Sequence, residues 1–180
     1  LFRSSLLHPA SCAQILLANK KLYRMDLYRK GKWQKTYEIA LSQQPLGHKQ
    51  REGDLRLPEG EYKIVQKTQG PFQGEDWMKY LGAAWMRINY PNQRDALAGL
   101  AEKAITKQQC DAIIAAHQRG VMPPKDTKLG GGIGIHGWAD PGWNPESSRD
   151  LTWGCISLNK ADLLEVFKDT PQGTPIVIRP

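Results

Sequence analysis

The chain has 180 residues, a net charge of +7 at neutral pH, and a composition that is 40% apolar and 24% charged. That length holds one ordinary domain whose core needs neither disulfide nor metal, and the composition excludes wholesale disorder. No run approaches the roughly 18 apolar residues of a membrane-spanning helix, and Leu1 in place of methionine reads as a trimmed N-terminus in which a targeting signal would be invisible.

Taken in chain order, residues 14–41 read as strands. Residues 21–28 are aromatic and apolar, Gly31 marks a turn, and residues 33–41 return. Residues 45–54 form a polar, glycine-punctuated loop, and Pro58 and Gly60 make a turn into a strand over 61–67. Residues 68–84 read as loop and 85–90 as a strand closed by Pro91. Asn92 then caps a first helix with Asp95 at its third position, and Leu97, Leu100, Ala101 and Ala104 fall on one face. Thr106 and Gln109 fit a capping box for a second helix, in which Cys110, Ile113, Ile114 and His117 share a face, and Gly120 stops it. This helical hairpin, 92–120, interrupts a strand-rich chain and reads as an insertion walling one side of a site. A glycine-rich approach, 130–135, leads to His136, and residues 138–151 form a loop. Asn159 caps a last helix with Asp162 at its third position and Leu164 and Phe167 inward; a strand over 174–178 ends the pattern.

Charge is uneven. Lys20, Lys21, Arg24, Arg29, Lys30, Lys32 and Lys35 face a single acid, Asp26. Such a stretch favours a polyanionic neighbour; its alternative is the solvated surface of an edge hairpin. The glycine-rich segment lacks the Gly-Lys-Ser/Thr ending of a phosphate loop. Cys12, Cys110 and Cys155 lie at no metal-ligand or redox spacing, and His8, His48, His117 and His136 are scattered, so no metal and no cofactor is expected.

Two segments carry chemistry. His136 ends an apolar, glycine-spaced strand, and Cys155 follows Gly154 nineteen positions later. A thiolate is a strong nucleophile, an imidazole can take the thiol proton or hold an ion pair, and backbone N–H groups at a glycine can bind an oxyanion. The alternative is a buried structural cysteine beside a hydrogen-bonded core histidine.

His136-Gly137, followed by Thr152-Trp153-Gly154-Cys155 and an apolar residue, resembles the L,D-transpeptidase catalytic domain of the YkuD type. The 47–54 stretch leading into Pro58-Glu59-Gly60, and the closing Pro175-Ile176-Val177-Ile178, extend the resemblance over 14–90 and 129–178. It implies a mostly β fold, an L,D-transpeptidase-type sandwich or barrel with peripheral helices, over a single catalytic domain at 14–178, with 92–120 inserted and 1–13 an N-terminal extension. It implies Cys155 as nucleophile, His136 as proton acceptor, the Gly137 carbonyl orienting the ring, and N–H groups around Gly154 and Cys155 holding the oxyanion. Trp153 stands where the family has His, Ser157 where it has Arg or Asn, and Leu57 where Thr is usual. Trp153, Ser157, Trp138 and His48 are the candidate substrate contacts, with a plain loop hydrogen bond as the other role of His48.

The implied activity is acyl transfer on peptidoglycan stem peptides in the bacterial envelope, periplasmic or secreted. Cys155 would form a thioester at an L-to-D amide and pass the acyl group to an amine. The alternatives are an L,D-carboxypeptidase using water, an amidase releasing peptidoglycan-linked protein, and a non-catalytic basic wall- or nucleic-acid-binding module. The expected partner is the stem peptide, with an envelope protein as a further acceptor or substrate, and not nucleic acid.

Overall fold

The computed structural model describes residues 12–137 and 149–180. The strands are β1 (Gln14–Asn19), β2 (Arg24–Arg29), β3 (Lys32–Glu38), β4 (Leu41–Ser42), β5 (Gly60–Gln69), β6 (Ala84–Ile88), β7 (Gly134–His136), β8 (Asp150–Thr152), β9 (Ile156–Ser157) and β10 (Pro175–Arg179). Helices α1 (Gln93–Ala101), α2 (Lys107–Gln118) and α3 (Lys160–Asp169) and a 3-10 helix (Asp76–Leu81) lie among them.

Eight strands form one sheet in the order β3-β2-β1-β10-β5-β6-β7-β9, and β4 pairs with β8. The sheet curls. Ala40, just past the edge strand β3, exchanges both backbone hydrogen bonds with Ser157 on the opposite edge strand β9, at 2.8 and 2.9 Å. The two edges are thereby joined, which leaves less unpaired backbone than an open sheet would. Inside lies a core that includes Leu16, Met25, Tyr37, Ile64, Met86, Ile135, Ile156 and Ile176. The architecture is the mostly β one implied by the resemblance.

Local capping signals hold where two polar residues stand three positions apart. Asn92 with Asp95, and Thr106 with Gln109, form reciprocal capping boxes, and the Asn159 side chain accepts from the Asp162 N–H. The buried faces differ from expectation. In α1 the inner residues are Asp95, Ala96 and Gly99, while Leu97 is 43% exposed. A Cβ on Gly99 would stand 3.0 Å from Leu129 Cδ2, so close packing selects the small-residue face. In α3, Leu163 and Val166 are buried, with Phe167 packed beside them. The 3-10 helix occupies a stretch that reads as loop.

The hairpin has its own small core of Ala96, Ile105, Cys110, Ile113 and Leu129. A polar anchor ties it to the sheet: buried Asp95 accepts from Tyr62 Oη at 3.0 Å, from Asn92 N at 2.8 Å, and faces His48 Nε2 at 3.3 Å. His117 donates from Nε2 to the Pro91 carbonyl at 2.8 Å.

The basic stretch is neutralised in part. Lys20 is buried on Glu59 at 2.8 Å, Arg29 meets Asp169 at 3.0 Å, and Lys35 meets Asp162 and Glu165. Three of its seven cations therefore have acidic partners, and the Lys20 side chain does not face solvent. The three cysteines are thiols, and no helix among the described residues is long and apolar enough to cross a membrane.

Candidate active site

A cleft of about 940 Å³ opens where β6, β7 and β9 end. It brings His136, Gly137, Trp153, Cys155 and Ser157 together. Trp138 lies outside the described residues. His48 does not line the cleft: its Nδ1 accepts from Glu59 N at 3.0 Å and its Nε2 faces Asp95. Nor does any residue of the 92–120 hairpin line it, contrary to the expected wall. The reason is the Asp95–Tyr62 anchor, which fastens the hairpin at the start of β5 while the 44–56 loop stands at the cleft instead.

Register builds the site. β6 pairs Trp85 with His136 and Arg87 with Gly134; β7 pairs His136 with Ser157. Alternating side chains then put Trp85, Arg87, His136 and Ser157 on the cleft face, with Cys155 just ahead of β9. Gly134 is required by space. A Cβ there would lie 2.3 Å from the Met86 carbonyl oxygen and 2.9 Å from the Trp85 ring.

The turn before Cys155 is held by one hydroxyl. Thr152 Oγ1 accepts from Cys155 N at 2.9 Å and Gly154 N at 3.3 Å and donates to the Cys155 carbonyl at 2.7 Å. Gly154 has φ +144°, and a Cβ there would meet the Arg56 carbonyl and Ile133 at 3.1 Å. Glycine here answers to the protein's own backbone rather than to a substrate. The two N–H groups implied as oxyanion donors point at Thr152 Oγ1 in this state, and must turn from it to serve that role.

His136 is buried, its ring 5.9 Å from that of Trp85. Its Nδ1 is hydrogen-bonded to the Gly137 carbonyl. A carbonyl can only accept, so Nδ1 carries the proton and Nε2 is the free base. Burial pushes the imidazolium below its ordinary 6.5, against the Gly137 and Tyr80 carbonyls, which favour it. The Cys155 thiol makes a 3.8 Å contact to the Gly132 carbonyl. Burial raises it to about 11, while the Gly134 N–H and the Lys49 charge pull the other way. Burial thus works against the charged form of both groups.

Sequence reasoning missed Tyr80, Lys49 and Arg87. Tyr80 sits in the unforeseen 3-10 helix. Lys49 is buried and held by Asp54 and the Arg51 carbonyl, both at 2.9 Å. Arg87 shares its strand face with Trp85, which the period-two alternation of 85–90 could have indicated. Among the described residues no cluster of His, Cys, Asp or Glu could hold a metal.

Cys155 and a histidine whose ring is held by a backbone carbonyl thus line one cleft of the curled sheet. The chain belongs to the YkuD family of L,D-transpeptidase catalytic domains, which it matches over residues 13–178. No curated protein sequence matches it. It is similar in fold to the helical cell shape determining protein Pgp2 from Campylobacter jejuni (23% identity, TM-score 0.61, covering 92% of this chain and 47% of that one). It is also similar to Bd1075 of Bdellovibrio bacteriovorus (18% identity, TM-score 0.57, covering 92% and 47%). A third similar structure is an L,D-transpeptidase from Mycobacterium smegmatis (12% identity, TM-score 0.52, covering 93% and 59%). The chain spans about half the length of the first two.

Proposed function

We propose that the protein transfers acyl groups of peptidoglycan stem peptides through a thioester on Cys155, as an L,D-transpeptidase of the bacterial envelope. The observation that carries this reading is the ring of His136, with Nδ1–H fixed on the Gly137 carbonyl and Nε2 left as a base in the cleft that holds Cys155. As the thiol attacks the carbonyl of an L-centre, its proton passes to Nε2. The C–N bond to the D-residue breaks, the amine leaves with that proton, and the thioester remains. An acceptor amine then attacks and restores the thiol. Water in place of the amine gives L,D-carboxypeptidase chemistry. A protein-linked amide as donor gives the amidase branch.

Incubation with purified muropeptides, read by mass spectrometry, separates the three: a crosslinked dimer, loss of the terminal D-residue alone, or release of linked protein. Cys155→Ser and His136→Ala should each abolish turnover with the fold retained, and the double variant should be no worse than either, because the two act as one unit. Retention of more than about a tenth of the activity in either variant would refute this assignment.

A further inference from the structure

Among the described residues, two buried side-chain polar atoms have no hydrogen-bond partner: Arg87 Nε and Ser157 Oγ. Both residues line the Cys155 cleft. Protein interiors rarely leave such donors unmet, and an unmet donor in a cleft points to a ligand or solvent atom that completes it.

Arg87 has no acidic partner among the described residues, and burial works against its charge with nothing to offset it. Its neighbours in the cleft are Lys125, exposed and likewise without an ion pair, and Lys49, whose charge is already matched by Asp54. Glu52 is the acid on the same lining; its side chain packs against Gly130, where a Cβ would meet Glu52 Cβ at 3.0 Å. The guanidinium lies over Gly131, since a Cβ there would be 3.8 Å from Nη2 and 2.7 Å from Lys125 Cβ. The Cys155 thiol contacts the carbonyl of the next residue, Gly132. Guanidinium and thiol are therefore set along consecutive residues of one glycine strap. Gly134, which pairs with Arg87 across the sheet, has no side chain.

We propose that Arg87, supported by Lys125, is a carboxylate subsite that reads the free terminal carboxylate of the D-residue leaving from Cys155. This rests on the acyl-transfer reading above. A terminal carboxylate one residue beyond the attacked carbonyl lies about 3.8 Å further along the peptide, and the guanidinium over Gly131 is likewise one residue along the strap from the Gly132 carbonyl that the thiol contacts. The fork of a guanidinium pairs with a carboxylate in a bidentate way. It would supply from β6 a cation for which Ser157 offers none.

Two experiments on the full chain test it. The first needs no substrate: alkylation of Cys155, mapped by peptide mass spectrometry, with anionic iodoacetate and neutral iodoacetamide. The ratio of the two rates should fall at least about threefold in Arg87→Gln, less in Lys125→Gln, and partly recover in Arg87→Lys. An unchanged ratio in folded Arg87→Gln and Lys125→Gln overturns the subsite. The second compares a stem tetrapeptide with its C-terminal amide, and with a peptide amidated on the donor residue's side-chain carboxylate. The parent should prefer the free terminal acid about 10- to 100-fold in kcat/KM, and Arg87→Gln should erase that preference while changing the amide little. If the preference follows the side-chain carboxylate, or if acid and amide lose equally, the proposal is wrong. An intact iodoacetate preference without turnover of any peptide would support the anion site and sink the acyl-transfer reading instead.

Discussion

Replacing Gly134 with alanine should break the site through its framework. The added Cβ would sit 2.3 Å from the Met86 carbonyl oxygen, far inside contact distance, and 2.9 and 3.0 Å from two atoms of the Trp85 ring. The ring can swing, but the carbonyl belongs to the β6 backbone and cannot move without opening the β6–β7 pairing. Gly134 has no positive φ, so the whole penalty is overpacking, which runs at about 1–3 kcal/mol in well-packed cores. A clash with backbone belongs at the top of that range, about 3 kcal/mol. For a domain of this size each kcal/mol lowers Tm by about 2–4 °C, giving a fall of about 6–12 °C. His136 is two residues further along β7 and the Gly134 N–H faces the Cys155 thiol, so turnover should drop by more than about tenfold even where the protein remains folded. Differential scanning calorimetry and muropeptide turnover measure both. Gly173→Ala is the control: its φ is +92° and no atom lies within 4 Å of the added Cβ, so it should cost stability through strain alone and leave turnover intact. A Gly134→Ala protein with Tm within 2 °C of the parent and full turnover would refute the argument that the β6–β7 pairing is packed to its limit.

Three further outcomes follow from the site. Thr152→Val keeps the shape but removes the acceptor of two N–H groups, so it should cost about 1–3 kcal/mol and lower kcat as Cys155 drifts; unchanged kcat would mean that backbone pairing alone holds the turn. Turnover should stay flat through pH 7 and fall only below 6.5, since the lowered His136 pKa keeps the ring a neutral base there, while iodoacetamide labelling of the free thiol should keep rising toward about pH 11. A labelling plateau centred near neutrality would instead reveal a thiolate–imidazolium pair. Asp95→Ala strips the acceptor from buried Tyr62 and from Asn92 N, and should cost about 2–4 kcal/mol in thermal unfolding; a change of more than about twofold in Cys155 labelling would show that the hairpin couples to the cleft after all.

Much of this protein is local enough to read from sequence. Asn92 with Asp95, Thr106 with Gln109, and Asn159 with Asp162 are caps whose partners lie three residues apart, so spacing alone specifies them. Strand β6 follows from alternation, β2 from aromatic and apolar content and β5 from the turn before it, and the His136 and Cys155 candidates from a short motif with a mechanism behind it. What spacing could not supply was the neighbour across the sheet. Arg87 joins Cys155 only because β6, β7 and β9 lie side by side in a fixed register. Lys20 leaves the basic stretch because Glu59 and two backbone carbonyls converge on it from 27 to 39 residues away. His48 goes to Asp95 rather than to substrate because the hairpin's cap stands beside its loop. Each of these depends on long-range pairing, whose partner is chosen by the whole sheet and not by the residues around it.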